Sequence, residues 1–206
     1  MFKLVATIFM CLYVSSSGAV EKVNFTLIYE TRCPYSVEFI FDQLYPGYQK
    51  IGEYLNVTLL PYARENEADG GITCQHGDNE CYISRAQVCS LKDSAITQEL
   101  QVEFLHCSEQ GVYDSRNVTD ADIQQCLTSV LPNISWDTVK TCIEGEESTN
   151  LLKDIYDIAV AYGRTYVPYL IFNEQHDQDL ENKARGDFVA AVCSLLTSPP
   201  AVCQSN

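Results

Sequence analysis

Two groups of residues in this chain have types and spacings suited to chemistry. The first is Cys33-Pro34-Tyr35-Ser36, which follows a β-forming run and opens a stretch of helical spacing. A cysteine at a strand-to-helix junction meets the positive end of the helix dipole and its free N–H groups. Both favour thiolate, the nucleophilic form. Arg32 adds positive charge if the two side chains point the same way, and Glu30 and Glu38 oppose it. Taken alone, Cys-Pro-Tyr-Ser suits a structural cysteine better than a reactive one. The second group runs Cys74-Gln75-His76-Gly77-Asp78-Asn79-Glu80-Cys81 and continues to Ser84 and Cys89. Its cysteines could form disulfides or, with His76, hold zinc. Zinc sites commonly use cysteine pairs roughly two to four residues apart. The spacings here are longer, so no metal ligand is assigned. His76 reads as a hydrogen-bonding structural residue rather than a catalytic base.

The elements that must position these residues follow from periodicity. Val23 to Tyr29 is rich in β-branched and aromatic residues and predicts a strand. Val37, Ile40, Phe41 and Leu44 then recur at helical spacing, with Pro34 suited to the first turn and Pro46-Gly47 expected to end the helix. Leu55 to Leu60 predicts a second strand, parallel to the first by the crossover rule. After the Gly70-Gly71 break, residues from about Cys74 to Glu147 hold six cysteines and mainly helical periodicity. They read as a helical insertion stapled by disulfides. Leu151 to Tyr162 predicts a helix ended by Gly163. A strand should begin just after Pro168, because proline cannot sit inside a sheet. Asn182 to Leu195 should be the last helix.

Strand, cysteine, helix, strand, insertion, helix, then Val-Pro before a strand is the order of a thioredoxin-like α/β fold. In that fold a proline before a strand lies against the active-site cysteine, usually after a cis peptide bond. Pro168 is the candidate, and an ordinary trans proline opening an edge strand is the alternative.

The N-terminal residues read as an export signal. Lys3 precedes an apolar run from Leu4 to Val14, and the small residues from Ser15 to Ala19 suit cleavage. The run is too short for a membrane span, which needs about 20 residues. Residues 1–19 are therefore taken as a signal peptide and residues 20–206 as a single domain. Four sequons agree with the secretory route, at Asn24, Asn56, Asn117 and Asn133. Cys11 leaves with the signal, so nine of the ten cysteines remain and at least one is unpaired or pairs outside the chain. Without Lys3 the chain carries 12 basic and 28 acidic residues, a net charge of −16. Such a charge repels nucleic acid and anionic membranes.

From Cys74 to Cys89 the sequence resembles the gamma-interferon-inducible lysosomal thiol reductase (GILT) family. That family's signature is Cys-Gln-His-Gly, two residues, Glu-Cys, two residues, Asn, four residues, Cys. Cys74, Gln75, His76, Gly77, Glu80, Cys81 and Cys89 match it in identity and spacing, and Ser84 stands where the family has Asn. The resemblance extends from about Val23 to Cys203. It implies reduction of protein disulfides in acidic endolysosomes by two cysteines. One attacks the substrate disulfide and the other resolves the mixed disulfide. Here Cys33 aligns with the first, and Ser36 replaces the second.

Setting Cys33 aside as a free thiol leaves Cys74, Cys81, Cys89, Cys107, Cys126, Cys142, Cys193 and Cys203. Eight cysteines can pair in roughly a hundred ways. Cys193 with Cys203 is the preferred pair, since Pro199-Pro200 turns the chain back between them.

The expectation is a secreted or endolysosomal-lumen protein, impaired in ordinary dithiol reduction and acting as a binding or regulatory protein. Two alternatives keep Cys33 chemistry: a monothiol oxidoreductase served by an external thiol, and a covalent trap. No cofactor is expected beyond that thiol. The expected partner is a protein, or a substrate protein with disulfides. No nucleic acid and no membrane span are expected, and Cys33 could join a dimer or a mixed disulfide.

Overall fold

The computed structural model describes residues 20–66, 68 and 70–204. The signal sequence expected over residues 1–19, with Cys11, lies outside them. Among the described residues no helix is long and apolar enough to cross a membrane.

The central strand is β1 (Val23–Tyr29). It pairs in parallel with β2 (Leu55–Pro61) and antiparallel with β5 (Tyr169–Phe172), giving the order β2-β1-β5. Packed layers cover both faces of this central strand, and Leu27, Ile28 and Tyr29 are all buried. The twofold alternation of side chains divides the interior in two. Phe25 and Leu27 face one cluster together with Leu170 and Phe172. Ile28, Leu60, Tyr169 and Ile171 face the other.

The first layer is built by α1 (Pro34–Phe39), α2 (Tyr45–Ile51), α8 (Gln178–Gly186) and α9 (Phe188–Cys193). Proline at the start of α1 costs no hydrogen bond, because that N–H has no partner in any helix. Pro46-Gly47 does not end the helix as expected. Ile40–Leu44 form a π-turn that joins α1 to α2, and the helix runs on to Ile51. The wider turn accommodates a proline that an unbroken α-helix would reject. Gly47 serves packing instead: a Cβ there would lie 2.7 Å from Phe188 Cδ1. The last helix also differs from expectation. It begins at Gln178 and breaks at Asp187, which is extended and caps α9 by accepting a 2.8 Å hydrogen bond from the Ala190 N–H.

The second layer holds most of the insertion, although Val102 and Leu105 join the first cluster. A small antiparallel hairpin, β3 (Arg64–Asn66) with β4 (Gly71–Thr73), leads into it. Then follow α3 (Asp78–Leu91), α4 (Gln98–Tyr113), α5 (Asp120–Val130) and α6 (Trp136–Glu144). The next helix, α7 (Glu146–Ala161), starts five residues before Leu151, with acidic Glu146 and Glu147 suiting its positive end. Three disulfides cross this region: Cys74–Cys81, Cys89–Cys142 and Cys107–Cys126. A fourth, Cys193–Cys203, closes the C-terminus. Among the described residues Cys33 is the free cysteine.

Candidate functional site

Cys33 occupies the junction between β1 and α1. Its N–H donates to the Glu30 carbonyl at 3.1 Å, and its own carbonyl accepts from the Ser36 and Val37 N–H groups at 3.0 Å. Cys33 is therefore the N-cap residue of α1. Its side chain is largely covered, and Sγ lies 3.9 Å from the Val167 carbonyl oxygen. The Val167–Pro168 peptide bond is cis. Sequence-distant elements thus bring Cys33 and the Val167-Pro168 turn together.

Ser36 sits one turn into α1. It is fully buried, and its hydroxyl has no hydrogen-bond partner among the described residues. Tyr35, two residues past Cys33, is 67% exposed. It borders a cavity of about 220 Å³ lined also by Glu38, Phe39, Asp42, Gln43 and Arg185.

The cis-proline turn is held from behind by residues that the sequence reading passed over. Arg185 donates to the Pro168 carbonyl at 2.6 Å and pairs with Glu181 at 2.8 Å. Glu181 also accepts from the Leu170 N–H at 3.1 Å, so one buried carboxylate fixes both the strand start and the arginine. Glu181 and Arg185 are four apart on α8, a spacing that brings side chains together on one face. That i,i+4 pattern was the available signal.

The segment before Cys33 is tied to the insertion. Arg32 is held by the insertion: its guanidinium donates to Asn79 at 2.8 Å and to Asn117 at 3.0 Å. The Thr31 hydroxyl donates to the Glu80 carbonyl at 3.1 Å and lies 3.4 Å from the hydroxyl of Ser84. His76 Nδ1 makes a close contact with Glu80 Oε2 and lies 3.6 Å from Glu30 Oε2. Burial and the neighbouring Glu80 charge push the Glu30 carboxyl above the usual carboxylate range. Deeper in the insertion, Gln87 accepts from the Tyr29 hydroxyl at 2.8 Å and donates to Glu109 at 2.7 Å and to Ser108 at 3.1 Å. Burial pushes Glu109 well up.

The remaining sequence-assigned residues are the paired cysteines and the sequon asparagines. Cys74, Cys81, Cys89, Cys107, Cys126, Cys142, Cys193 and Cys203 are all in disulfides. The sequon residues Asn24, Asn56, Asn117 and Asn133 are exposed. Asn24 and Asn56 are register partners on neighbouring strands, and Asn56 donates to Asn24 Oδ1 at 2.9 Å.

Comparison with known proteins agrees with this geometry. Residues 24–130 match the family described as "Gamma interferon inducible lysosomal thiol reductase (GILT)". The gamma-interferon-inducible lysosomal thiol reductase of Carassius auratus is 33% identical over 188 residues, covering 88% of this chain and 72% of that protein. GILT-like protein 1 of Drosophila melanogaster is 26% identical over 219 residues, covering 98% of this chain and 86% of that one. Among solved structures, the thiol-disulfide oxidoreductase MdbA of Actinomyces oris superposes with a TM-score of 0.62 at 10% identity, covering 88% of this chain and 83% of its own. Oxidised BdbD of Bacillus subtilis gives a TM-score of 0.57 at 12% identity, covering 81% and 90%. Both likenesses concern the fold, which is thioredoxin-like with a helical insertion.

Proposed function

The chain belongs to the gamma-interferon-inducible lysosomal thiol reductase family, and from that premise we propose that it is a binding or regulatory member impaired in ordinary dithiol reduction. One observation carries the proposal: Cys33 has no second free sulfur to work with among the described residues. In the dithiol cycle a Cys33 thiolate attacks a substrate disulfide. One Cys33–substrate S–S bond forms, the substrate S–S bond breaks, and a substrate thiolate leaves. A second thiolate in the reductase must then attack the mixed disulfide. Ser36 stands at that position, and a hydroxyl cannot close the S–S bond. The other eight cysteines among the described residues are paired in disulfides, so none of them supplies electrons.

The site of action is the lumen of the secretory or endolysosomal route, with a protein as partner. Exposure of all four sequon asparagines is compatible with glycosylation there.

A second reading rests on a different observation. Cys33 is retained at the start of α1, with Sγ beside the cis Val167-Pro168 turn. That placement suits a monothiol oxidoreductase in which a small external thiol releases the mixed disulfide. Insulin reduction between pH 4.5 and 7, with dithiothreitol or glutathione supplied, separates the two. The first reading expects an inactive wild type and turnover by Ser36→Cys. Turnover by wild type that disappears in Cys33→Ala would establish the monothiol enzyme and end the first reading.

A further inference from the structure

Three residues before Cys33, a second cluster of reactive side chains takes no part in the thiol chemistry. Glu30 follows the last residue of β1. His76 and Glu80 flank the start of α3, and Gly77, at φ +87°, makes the turn between them in a conformation that favours glycine. His76 Nδ1 contacts Glu80 Oε2 and lies 3.6 Å from Glu30 Oε2. One donor atom from each of the three residues lies within 4.8 Å of the others.

The surroundings of these groups are unusual for two carboxylates. The Glu30 and Glu80 side chains are only 4% and 1% exposed. The Glu80 carboxylate accepts a 3.5 Å hydrogen bond from the His76 N–H. The Glu30 carboxylate accepts no hydrogen bond among the described residues and is aimed at His76. Two arginines are near, yet neither pairs with Glu30 directly, and the Arg164 guanidinium is stacked 3.7 Å over the Tyr62 ring. Buried carboxylates are costly unless a cation or proton meets them.

We propose that Glu30, His76 and Glu80 form a binding site for a divalent transition-metal cation, with zinc as the reference ion. Two carboxylate oxygens and one imidazole nitrogen are a zinc-type donor set, and three protein ligands leave a fourth position for water. The His76 side chain is 28% exposed, which opens one side of the cluster to solvent. A dication here meets both negative charges and ties the end of β1 to the start of α3. The site uses no sulfur: Cys74 and Cys81 beside it are bonded to each other, and Cys33 Sγ faces Val167.

The test uses glycosylated protein, expressed through the secretory route and carrying Cys33→Ala to remove the free thiol. Zn²⁺ is titrated by calorimetry, and Co²⁺ by visible absorption. The expected result is one equivalent bound, a Co²⁺ spectrum without thiolate charge transfer, and a melting temperature that rises with zinc. Glu30→Gln and His76→Gln should each weaken binding by more than about tenfold and abolish the zinc-dependent rise. If Glu30→Gln does not fold, Glu30→Asp, which keeps the charge but withdraws the oxygen, replaces it with the same expectation. Absence of binding, or equal affinity in the parent and folded variants, overturns the site. Because the measurement is made without Cys33, its outcome is independent of the thiol chemistry proposed above.

Discussion

The two layers on either side of the sheet hold together by different means. On the face that carries α1, Phe25 meets Phe39, Phe172 and Phe188 with ring centroids 6.3, 5.1 and 4.9 Å apart. The disulfide on that side, Cys193–Cys203, lies at its C-terminal margin. On the insertion face, three disulfides cross helices that also bury Glu80, Ser84, Gln87, Ser108 and Glu109. Polar groups inside a core weaken it unless each is satisfied. Cross-links offset that weakness by restricting the unfolded chain. Cys33 opens α1 on the face with one disulfide, while Thr31 and Arg32 just before it bond to the cross-linked insertion.

The largest expected effects test that division directly. Phe25→Ala should cost about 5 kcal/mol, since it empties a fully buried site with three aromatic neighbours. Its loss should be the same with or without reductant. The insertion bridges should rank by loop length. Removing Cys89–Cys142, with a separation of 53, should cost about 4 kcal/mol. Removing Cys107–Cys126, separation 19, should cost about 3, and Cys74–Cys81, separation 7, about 2. Denaturant melts of Cys-to-Ala pairs measure each. If losing Cys193–Cys203 cost more than losing Cys89–Cys142, the contrast between the layers would fail.

Much of the first layer was legible in the sequence, and less of the second. The β1–Cys33–α1–β2 order and the strand after Pro168 came from local periodicity, which sets strands and helices residue by residue. Pro46-Gly47 misled because a π-turn over Ile40–Leu44 let the helix pass through a proline. The split at Asp187 was missed because the helical spacing of apolar residues continues across it. Cys33 and Pro168 were singled out because a strand–cysteine–helix order and a Val-Pro before a strand have a chemical meaning, and Ser36 because of the family resemblance. Glu30 and Glu80 were not, since Glu30 meets His76 only through tertiary packing, and an isolated glutamate carries no signal of its partners. Arg185 was missed although its i,i+4 spacing to Glu181 was visible, because its contact with Pro168 arises only in the folded chain.

A smaller effect concerns the pH dependence of the insertion. Glu109 is held well above the usual carboxylate range by burial, and Glu30 is raised in the same direction. In the unfolded chain both titrate near the ordinary glutamate value. Below that value both states are protonated, and the stability from these groups is complete. As pH rises above it, the unfolded chain releases protons that the folded protein keeps. Stability then falls by about 1.4 kcal/mol per pH unit per group, until the folded group ionises. Glu109→Gln should remove one such slope while keeping the acceptor for Gln87. Denaturant melts from pH 4.5 to 7 measure it. Equal slopes in the two proteins would mean that Glu109 is ionised in the fold.

The smallest effect lies on the surface of the insertion, where charge has least leverage. Asp122 caps α5: its Oδ2 accepts from the Thr119 N–H at 2.8 Å and from the Thr119 hydroxyl at 2.7 Å. Arg116 lies 2.8 Å from its other oxygen. The Arg116 hydrogen bond, with those from Thr119, holds the Asp122 carboxyl down to about 2. A lowered carboxylate stabilises above its unfolded value and loses that contribution as pH falls toward about 2. Asp122→Asn keeps an oxygen for the cap but loses the ion pair. It should cost about 1 kcal/mol or less at pH 7, and the difference from wild type should close on acidification. Its direction is opposite to that of Glu109, so the two variants together separate a buried carboxylate from a half-buried, ion-paired one. A loss from Asp122→Asn as large as that from breaking Cys107–Cys126 would mean that surface charge, not cross-linking, holds α4 and α5 together.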